Sequence, residues 1–323
     1  MNRFAILIFG VGLLMISGTP RLETCCGVTG TGDIVKFKGQ KNIIVWDPAA
    51  KTEHFIRKAA FATDAAALGF IAPTPSVPEL EEVSEKAFQT LANLKAVSDF
   101  DPSIKGEAAS VEATVEIVQV KDVAGYHAIT VKANDIAALS KWMDENGFVT
   151  TPSIREWTAY YVNKGWYLTT FKVIAKNGSA GTGTVRMSFK IDKPFNPFYV
   201  PDDNKTDGEP GGLALFFVSP DDWQPEGELG PQLLKRHWRA ELTQSAASEL
   251  AEQLKLPSLP AACLVTSYDC LFFPEADIKE DVFFVYAGMG APTVTRWIQI
   301  CVAVIAISGF VILGYLKVRR IRT

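Results

Sequence analysis

The C-terminal apolar segment constrains this chain most. Residues 297–316 form a run of twenty residues without a charge, and Trp297 and Tyr315 lie at or near its two ends. A helix rises about 1.5 Å per residue, so a segment of this length spans roughly 30 Å, the thickness of a bilayer's hydrocarbon core. Amphipathic rings prefer the membrane interface. The segment therefore predicts one transmembrane helix at 297–316.

The charges around this segment predict its orientation. The tail 317–323 carries four basic residues directly after the apolar run, whereas Arg296 alone flanks the other side. Because positive charge accumulates on the cytoplasmic side, we expect a cytoplasmic tail and an extracytoplasmic domain before the span. We thus expect a single-pass protein of the cell membrane.

The N-terminus agrees with export. Arg3 precedes an uncharged apolar run at 4–16, and small polar residues follow at 17–19, which is the order of a secretory signal peptide. We assign 1–24 to this signal peptide. No clear small-residue cleavage triplet is present, so an uncleaved signal anchor remains the alternative.

The composition argues against nucleic acid as a partner. The net charge is −4 and the sequence pI is about 5.6, which leaves no basic footprint for phosphate groups. The partners expected are the membrane and an unknown protein or envelope ligand.

The cysteines also fit an oxidising compartment. Cys25, Cys26, Cys263 and Cys270 precede the predicted span, and Cys301 lies inside it. Two disulfide arrangements remain open: Cys263 with Cys270 around a local loop, or the N-terminal pair reaching that region. Zinc is disfavoured by the spacing, and lipidation of Cys25 by the lack of a small residue before it.

Hydropathy patterns predict one extracytoplasmic domain at 25–290, of α+β class with mainly antiparallel sheet and grouped helices. The segments 42–46 and 52–61 are typical of a hairpin, and 126–175 of a strand–helix–helix–strand unit. A capping box at 76–79 predicts a helix that continues to about residue 94. Residues 233–254 also favour helix.

No motif predicts catalysis, a cofactor or a metal. The acidic loop at 202–208 lacks the calcium-loop register, and the glycine-rich segment 178–183 lacks the lysine of a phosphate-binding loop. The strongest candidate for an interaction surface is a group of rings close in sequence, for which core packing is the alternative: Trp157, Tyr160, Tyr161 and Trp166.

Three stretches resemble one bacterial family. They are VWDPAAKTEHFIRKAAFATDAAALGFIAPTPSVPEL at 45–80, WMDENGF with YVNKGWYLTTFKV within 142–173, and VRMSFKIDKPFNPFY at 185–199. In this order they resemble the family of domain of unknown function 2330, from about Cys25 to Val218. The resemblance implies a bacterial envelope protein, often with a C-terminal anchor, and supplies no catalytic residues.

Together these observations favour a non-enzymatic binding or scaffold domain that is anchored in the membrane. Two alternatives stay open, namely a hydrolase that acts on envelope material and an accessory subunit of a membrane complex.

Overall fold

A computed structural model describes residues 26–29, 37–61, 68–94, 115–174, 182–204, 213–227, 230–260, 262–270 and 278–288. The predicted signal peptide 1–24, the predicted span 297–316, the tail 317–323, Cys25 and Cys301 lie outside these residues. Within the described ranges, no helix is both long enough and apolar enough to cross a membrane.

Strands dominate the residues that the structure describes, and the helices among them are short. The strands are β1 (Cys26–Thr29), β2 (Phe37–Asp47), β3 (Thr52–Phe61), β4 (Leu68–Thr74), β5 (Glu79–Val83), β6 (Glu116–Val123), β7 (Tyr126–Lys132), β8 (Tyr167–Val173), β9 (Thr184–Lys190), β10 (Phe195–Asn196), β11 (Leu213–Ser219), β12 (Asp222–Pro225), β13 (Leu234–Glu241), β14 (Leu264–Cys270) and β15 (Val282–Gly288). The helices are α1 (Lys86–Ala92), α2 (Ile136–Glu145), α3 (Pro152–Asn163), α4 (Gly230–Leu233) and α5 (Gln244–Gln253), with a 3₁₀ turn at Asp202–Asn204.

The strands form three sheets. The largest has seven strands in the order β13-β14-β11-β2-β3-β9-β5, and the second has five in the order β1-β4-β8-β7-β6. A three-stranded sheet has the order β10-β15-β12. All pairs are antiparallel except β2 with β11. The sheet-rich α+β class with mainly antiparallel pairing is therefore confirmed.

The two large sheets pack face to face and share the main core. This core joins Ile44, Phe55 and Phe217 of the larger sheet to Phe70 and Phe171 of the smaller one. Side chains alternate along a strand, so Ile56 of β3 points the other way, into a cluster with Leu250 of α5. Both faces of the larger sheet are thus buried.

Helices complete the outer layers. The buried residues of α1 and α5 cover the outer face of the seven-stranded sheet. The buried residues of α2 and α3, among them Leu139 and Trp157, cover the outer face of the five-stranded sheet through Ile71, Val131 and Leu168. The order of layers is helices, sheet, sheet, helices.

The predicted helix at 79–94 begins later than expected. Residues Glu79–Val83 form β5 on the edge of β9, and α1 starts only at Lys86. The Ser76 hydroxyl caps no helix, because it donates to the Lys190 carbonyl and accepts from the Lys190 amide. Strand pairing satisfies these backbone groups and overrides the local capping signal.

The predicted helix at 233–254 is also partly wrong. Its first half is mostly β13, which pairs with β14, and beyond Leu233, the last residue of α4, only Gln244–Gln253 is helical. Thr243 caps α5 by accepting a hydrogen bond from the Ala246 amide at 3.2 Å. The hairpin at 37–61 and the strand–helix–helix–strand unit at 126–173 are confirmed.

Candidate functional site

An extended segment, residues 194–201, packs into the main core through Phe195 and Phe198, and we call it the strap. All eight of its residues are buried. It begins with β10, which pairs with β15, and the Phe284 amide donates to the Pro194 carbonyl at 2.8 Å. The backbone groups of a buried segment need partners, and side chains supply several of them here.

Asp281 holds the strap against α3. Its Oδ1 accepts hydrogen bonds from the Tyr161 hydroxyl at 2.9 Å and from the Phe198 and Tyr199 amides at 3.1 and 3.3 Å. Burial raises the pKa of this carboxyl to about 6, although Lys164 and the hydrogen bonds act against the rise. Asp281 can therefore hold a proton at mildly acidic pH.

Glu53 holds the start of the strap. Its Oε2 accepts a hydrogen bond from the Phe195 amide at 2.8 Å, and the side chain is fully buried. Burial raises the pKa of Glu53 well above its ordinary value, and the Phe195 hydrogen bond partly opposes this. Two buried carboxyl groups thus hold the strap: Glu53 binds it at Phe195, and Asp281 binds it at Phe198 and Tyr199.

The predicted ring surface separates into a buried and a half-buried pair. Trp157 and Tyr161 have no exposed surface, and Trp157 Nε1 donates to the Tyr199 carbonyl at 2.8 Å. The interpretation of these two rings as an interaction surface is therefore wrong, because both are core residues of the layer under α3. Tyr160 and Trp166 are half-buried and still reach the surface.

Lys164 lies among half-buried rings, and we call the group Tyr160, Lys164, Trp166 and Phe283 the lysine–ring cluster. Lys164 Nζ is 3.9 Å from the centroid of the Tyr160 ring, 5.2 Å from Trp166 and 5.6 Å from Phe283. It also donates to the Tyr160 hydroxyl at 2.6 Å. Such distances are typical of cation–π contacts.

Electrostatics couple this cluster to the strap. Burial lowers the pKa of Lys164, while Asp281 and Glu280 act in the opposite direction. Burial, Asp281 and Glu280 raise the pKa of Tyr160. The cluster therefore combines flat apolar faces, an ammonium donor and a carboxyl group beneath them at one place on the surface.

Part of this site could have been found from the sequence. Tyr160 and Lys164 are four residues apart at the end of a predicted helix, a spacing that places side chains together. Asp281 and Phe283 gave no such signal, because they meet α3 across more than a hundred residues of chain.

The predicted Cys263–Cys270 bridge is wrong. Cys263 lies just before β14 and Cys270 is its last residue, so they are seven residues apart, which separates them by roughly 23 Å along an extended strand. A disulfide needs Cα atoms within about 7 Å. Cys263 is a buried free thiol that donates to the Pro260 carbonyl at 3.0 Å, and burial raises its pKa to about 12.

No cysteine pair occurs in the part of the chain that the structure describes. Cys26 lies in β1 beside β4. A bridge from Cys25 or Cys26 to Cys270 remains a prediction. Among the described side chains, no three His, Cys, Asp or Glu residues come together as metal ligands.

A groove lies beside α5. It has a volume of about 640 Å³, and apolar side chains form most of its wall, including Leu242, Ala251, Leu256 and Cys263. Glu252 is its one carboxylate-bearing lining residue. This groove has room for a small molecule but offers little chemistry of its own.

Comparisons with known proteins identify the family and no further relative. No curated protein and no solved structure matches the chain. One family model, that of the uncharacterised protein conserved in bacteria (DUF2330), matches residues 20–218, which is more than half of the 323 residues. The resemblance of the three stretches is thereby confirmed, and the chain belongs to this bacterial family, DUF2330.

Proposed function

We propose that this protein is a single-pass envelope protein whose extracytoplasmic domain, residues 25–290, binds an envelope ligand at the lysine–ring cluster. The signal-like N-terminus, the apolar run at 297–316 and the basic tail support the anchored topology.

One observation carries the binding proposal, namely the position of Lys164 among three half-buried rings. Buried rings need no ligand, but rings that keep an exposed edge beside a cation form a contact surface. The ligand class that fits has a flat apolar face for the rings and a hydrogen-bond acceptor for the ammonium of Lys164. A sugar ring of an envelope polymer has both.

Reporter fusions test the topology. Reporters placed before Gly288 and after Thr323 should report the extracytoplasmic side and the cytoplasm, respectively. If both reported the cytoplasm, the anchored topology would be wrong.

Ligand titration tests the binding site. Soluble cell-wall fragments should change the tryptophan fluorescence of the protein, since Trp166 is half-buried in the cluster. Lys164→Ala removes a charged hydrogen-bond donor and Trp166→Ala removes a ring contact, so each variant should bind about tenfold more weakly or worse. Lys141→Ala is the matched control, because Lys141 is a lysine on α2 with 77% of its side chain exposed. Equal binding by all variants would overturn this site.

A second candidate is hydrolysis of envelope material, which Asp281 favours. A carboxyl with a pKa raised to about 6 suits a general acid, and Lys164 and Tyr160 lie beside it. An assay for release of cell-wall fragments distinguishes the candidates. Activity that disappears in Asp281→Asn favours hydrolysis, and binding without release favours the binding domain.

A further inference from the structure

The two large sheets differ at their outer strands. β13 is one edge of the seven-stranded sheet, and five of its eight residues are ionisable: Lys235, Arg236, His237, Arg239 and Glu241. Charged side chains on an edge strand discourage pairing with another chain. The edge formed by β13 is thus protected.

β6 is an edge of the five-stranded sheet and has the opposite character. Ile117 is 54% exposed, Val118 37% and Val120 57%. These are three of the six large hydrophobic residues that are exposed among the described residues. An exposed apolar edge strand presents both unpaired backbone groups and apolar surface to another strand.

The edge strand of the seven-stranded sheet that lies beside β6 is contacted by other parts of the protein. β5 ends the seven-stranded sheet next to β6, and Lys121 Nζ of β6 donates to the Leu80 carbonyl of β5 at 2.6 Å. The Ser84 amide, just past β5, donates to the Gln253 carbonyl at 2.9 Å. Protein groups therefore occupy backbone positions at β5, whereas none of the described strands lies on the outer side of β6 in the sheet order.

An irregularity in β6 groups its apolar side chains. The register with β7 shifts between Ile117 and Gln119, so that Ile117 lies opposite Val131 and Val120 opposite Ile129. Val131 and Ile129 are two residues apart on β7 and share a face, and the residues opposite them lie on that same face. Ile117 and Val120 therefore point to the same face of the sheet, while Glu116 and Lys121 point to the other.

We propose that β6 pairs antiparallel with β6 of a second copy of this chain. In the register that places Ile117 opposite Val120 of the second copy, Glu116 lies opposite Lys121 of the second copy. Both contacts occur twice because the pair is two-fold symmetric. Apolar side chains then meet on one face and opposite charges on the other, a combination that stabilises cross-strand pairs.

Lys121 of β6 can face Glu116 of the second copy and still keep its hydrogen bond to β5. Its ammonium has three donors, of which one bonds the Leu80 carbonyl, and it also lies 3.9 Å from Glu81 Oε2; the Lys121 side chain is nevertheless 41% exposed. Glu116 is exposed. The pairing involves neither the lysine–ring cluster nor its ligand, so its test is independent of the test of the proposed function.

The test exchanges the two charges one at a time in the full chain, purified in detergent. Glu116→Lys places like charges opposite each other in a self-pair, and so does Lys121→Glu. Each variant should dimerise about tenfold more weakly than the parent protein in analytical ultracentrifugation. An equimolar mixture of the two variants should restore dimers, because opposite charges then face each other in the mixed pair.

Val149→Lys is the matched control, since Val149 is an exposed valine away from β6 with 37% exposure. This variant should dimerise like the parent, and circular dichroism should show that every variant is folded. A parent protein that stays monomeric would overturn the proposal. So would a dimer that neither charge change weakens, or a mixture that does not recover.

Discussion

The residues that the family model matches and the described residues that follow them play different structural parts. Residues 20–218 supply all of the five-stranded sheet and the strands β2, β3, β5, β9 and β11 of the larger one. The later residues add β12 to β15 and α5. Without β14, the buried strand β11 would be an edge, and without α5 the outer face of its sheet would lose its cover.

The later residues also satisfy buried polar groups of the earlier ones. Arg186 of β9 is buried and donates through Nη1 to the Leu254 and Lys255 carbonyls at 2.7 and 2.5 Å. Asp281 accepts from Tyr161, Phe198 and Tyr199. This difference teaches that the extent of a sequence match is not the extent of a folding unit.

Removal of the whole later region should have the largest effect. A chain that ends after Ser219 lacks β14, β15 and α5, so it should lose the cooperative unfolding transition, which in a typical domain corresponds to about 5–15 kcal/mol. Thermal unfolding followed by circular dichroism measures this. A chain that ends after Gly288 keeps these elements and should unfold like the parent. A native transition in the shorter chain would show that the matched residues fold alone.

Asp281→Ala should cost about 3 kcal/mol of unfolding free energy. The change leaves the Tyr161 hydroxyl and two strap amides buried without their acceptor. Asp281→Asn retains one carbonyl oxygen and should cost less, about 1 kcal/mol. Urea unfolding measures both. The exposed Asp192 supplies the control Asp192→Ala, for which no change is expected. Equal costs for the two Asp281 variants would contradict the hydrogen-bonding role.

Arg186→Met should cost about 2 kcal/mol, because two carbonyls at the end of α5 lose a charged donor inside the protein. Arg155→Met is the matched control, since Arg155 also donates to a carbonyl, that of Thr150, but its residue is exposed. Urea unfolding of both variants decides the point. A cost no greater than that of the control would mean that α5 does not depend on β9.

One titratable group from each region, His54 and Asp281, should respond to pH in opposite directions. Burial and nearby cations lower the pKa of His54, which accepts or donates at Ser188, from 6.5 to about 4. Its contribution to stability is present above pH 6.5 and is lost as the pH falls toward 4. Burial raises the pKa of Asp281 from 3.8 to about 6, so its contribution is present below pH 3.8 and is lost as the pH rises through 6.

Because these contributions oppose each other between pH 4 and 6, Asp281→Asn should make acid more destabilising. Between pH 6 and 4.5 the variant should lose about 2 kcal/mol more unfolding free energy than the parent does. Glu53, whose pKa burial also raises, is present in both proteins and cancels in the comparison. Urea unfolding at several pH values measures the difference, and parallel pH profiles would contradict it.

A surface contact within the matched region should give the smallest effect. Ser76→Ala removes the hydroxyl that bonds the Lys190 backbone, where water can replace it, so the cost should be about 0.5–1 kcal/mol. Thermal unfolding checks this, with Ser245→Ala near the start of α5 as the control in the later region. A cost above that of Arg186→Met would reverse the order expected for buried and exposed contacts.

Local patterns predicted the elements whose partners are close in sequence. The β2–β3 hairpin and the unit from β7 to β8 follow from alternation, helix caps and turn residues. At Ser76 and at β13, pairing with a distant strand overrides the local helix signal. The local preference for helix is weaker than the backbone hydrogen bonds to a distant strand, and a local sequence pattern does not reveal those hydrogen bonds.

The candidate site divides in the same way. The spacing of Tyr160 and Lys164 is visible in the sequence, and so is the richness in rings. Whether a ring faces the core or the solvent depends on the strap, which covers Trp157 and leaves Trp166 half-buried. Asp281 meets its partners across 82, 83 and 120 residues, so no short pattern contains them.

The central place of β15 in its sheet has a mechanical meaning for an anchored protein. β15 lies between β10 and β12 and ends at Gly288, and eight residues separate Gly288 from the proposed anchor that begins at 297. A pull from the membrane would therefore load β15 along its length. The hydrogen bonds to both neighbours would bear that load together, and Asp281 just before the strand would pass it to α3 and the strap. In the proposed anchored protein, the strand nearest the anchor is thus held from both sides.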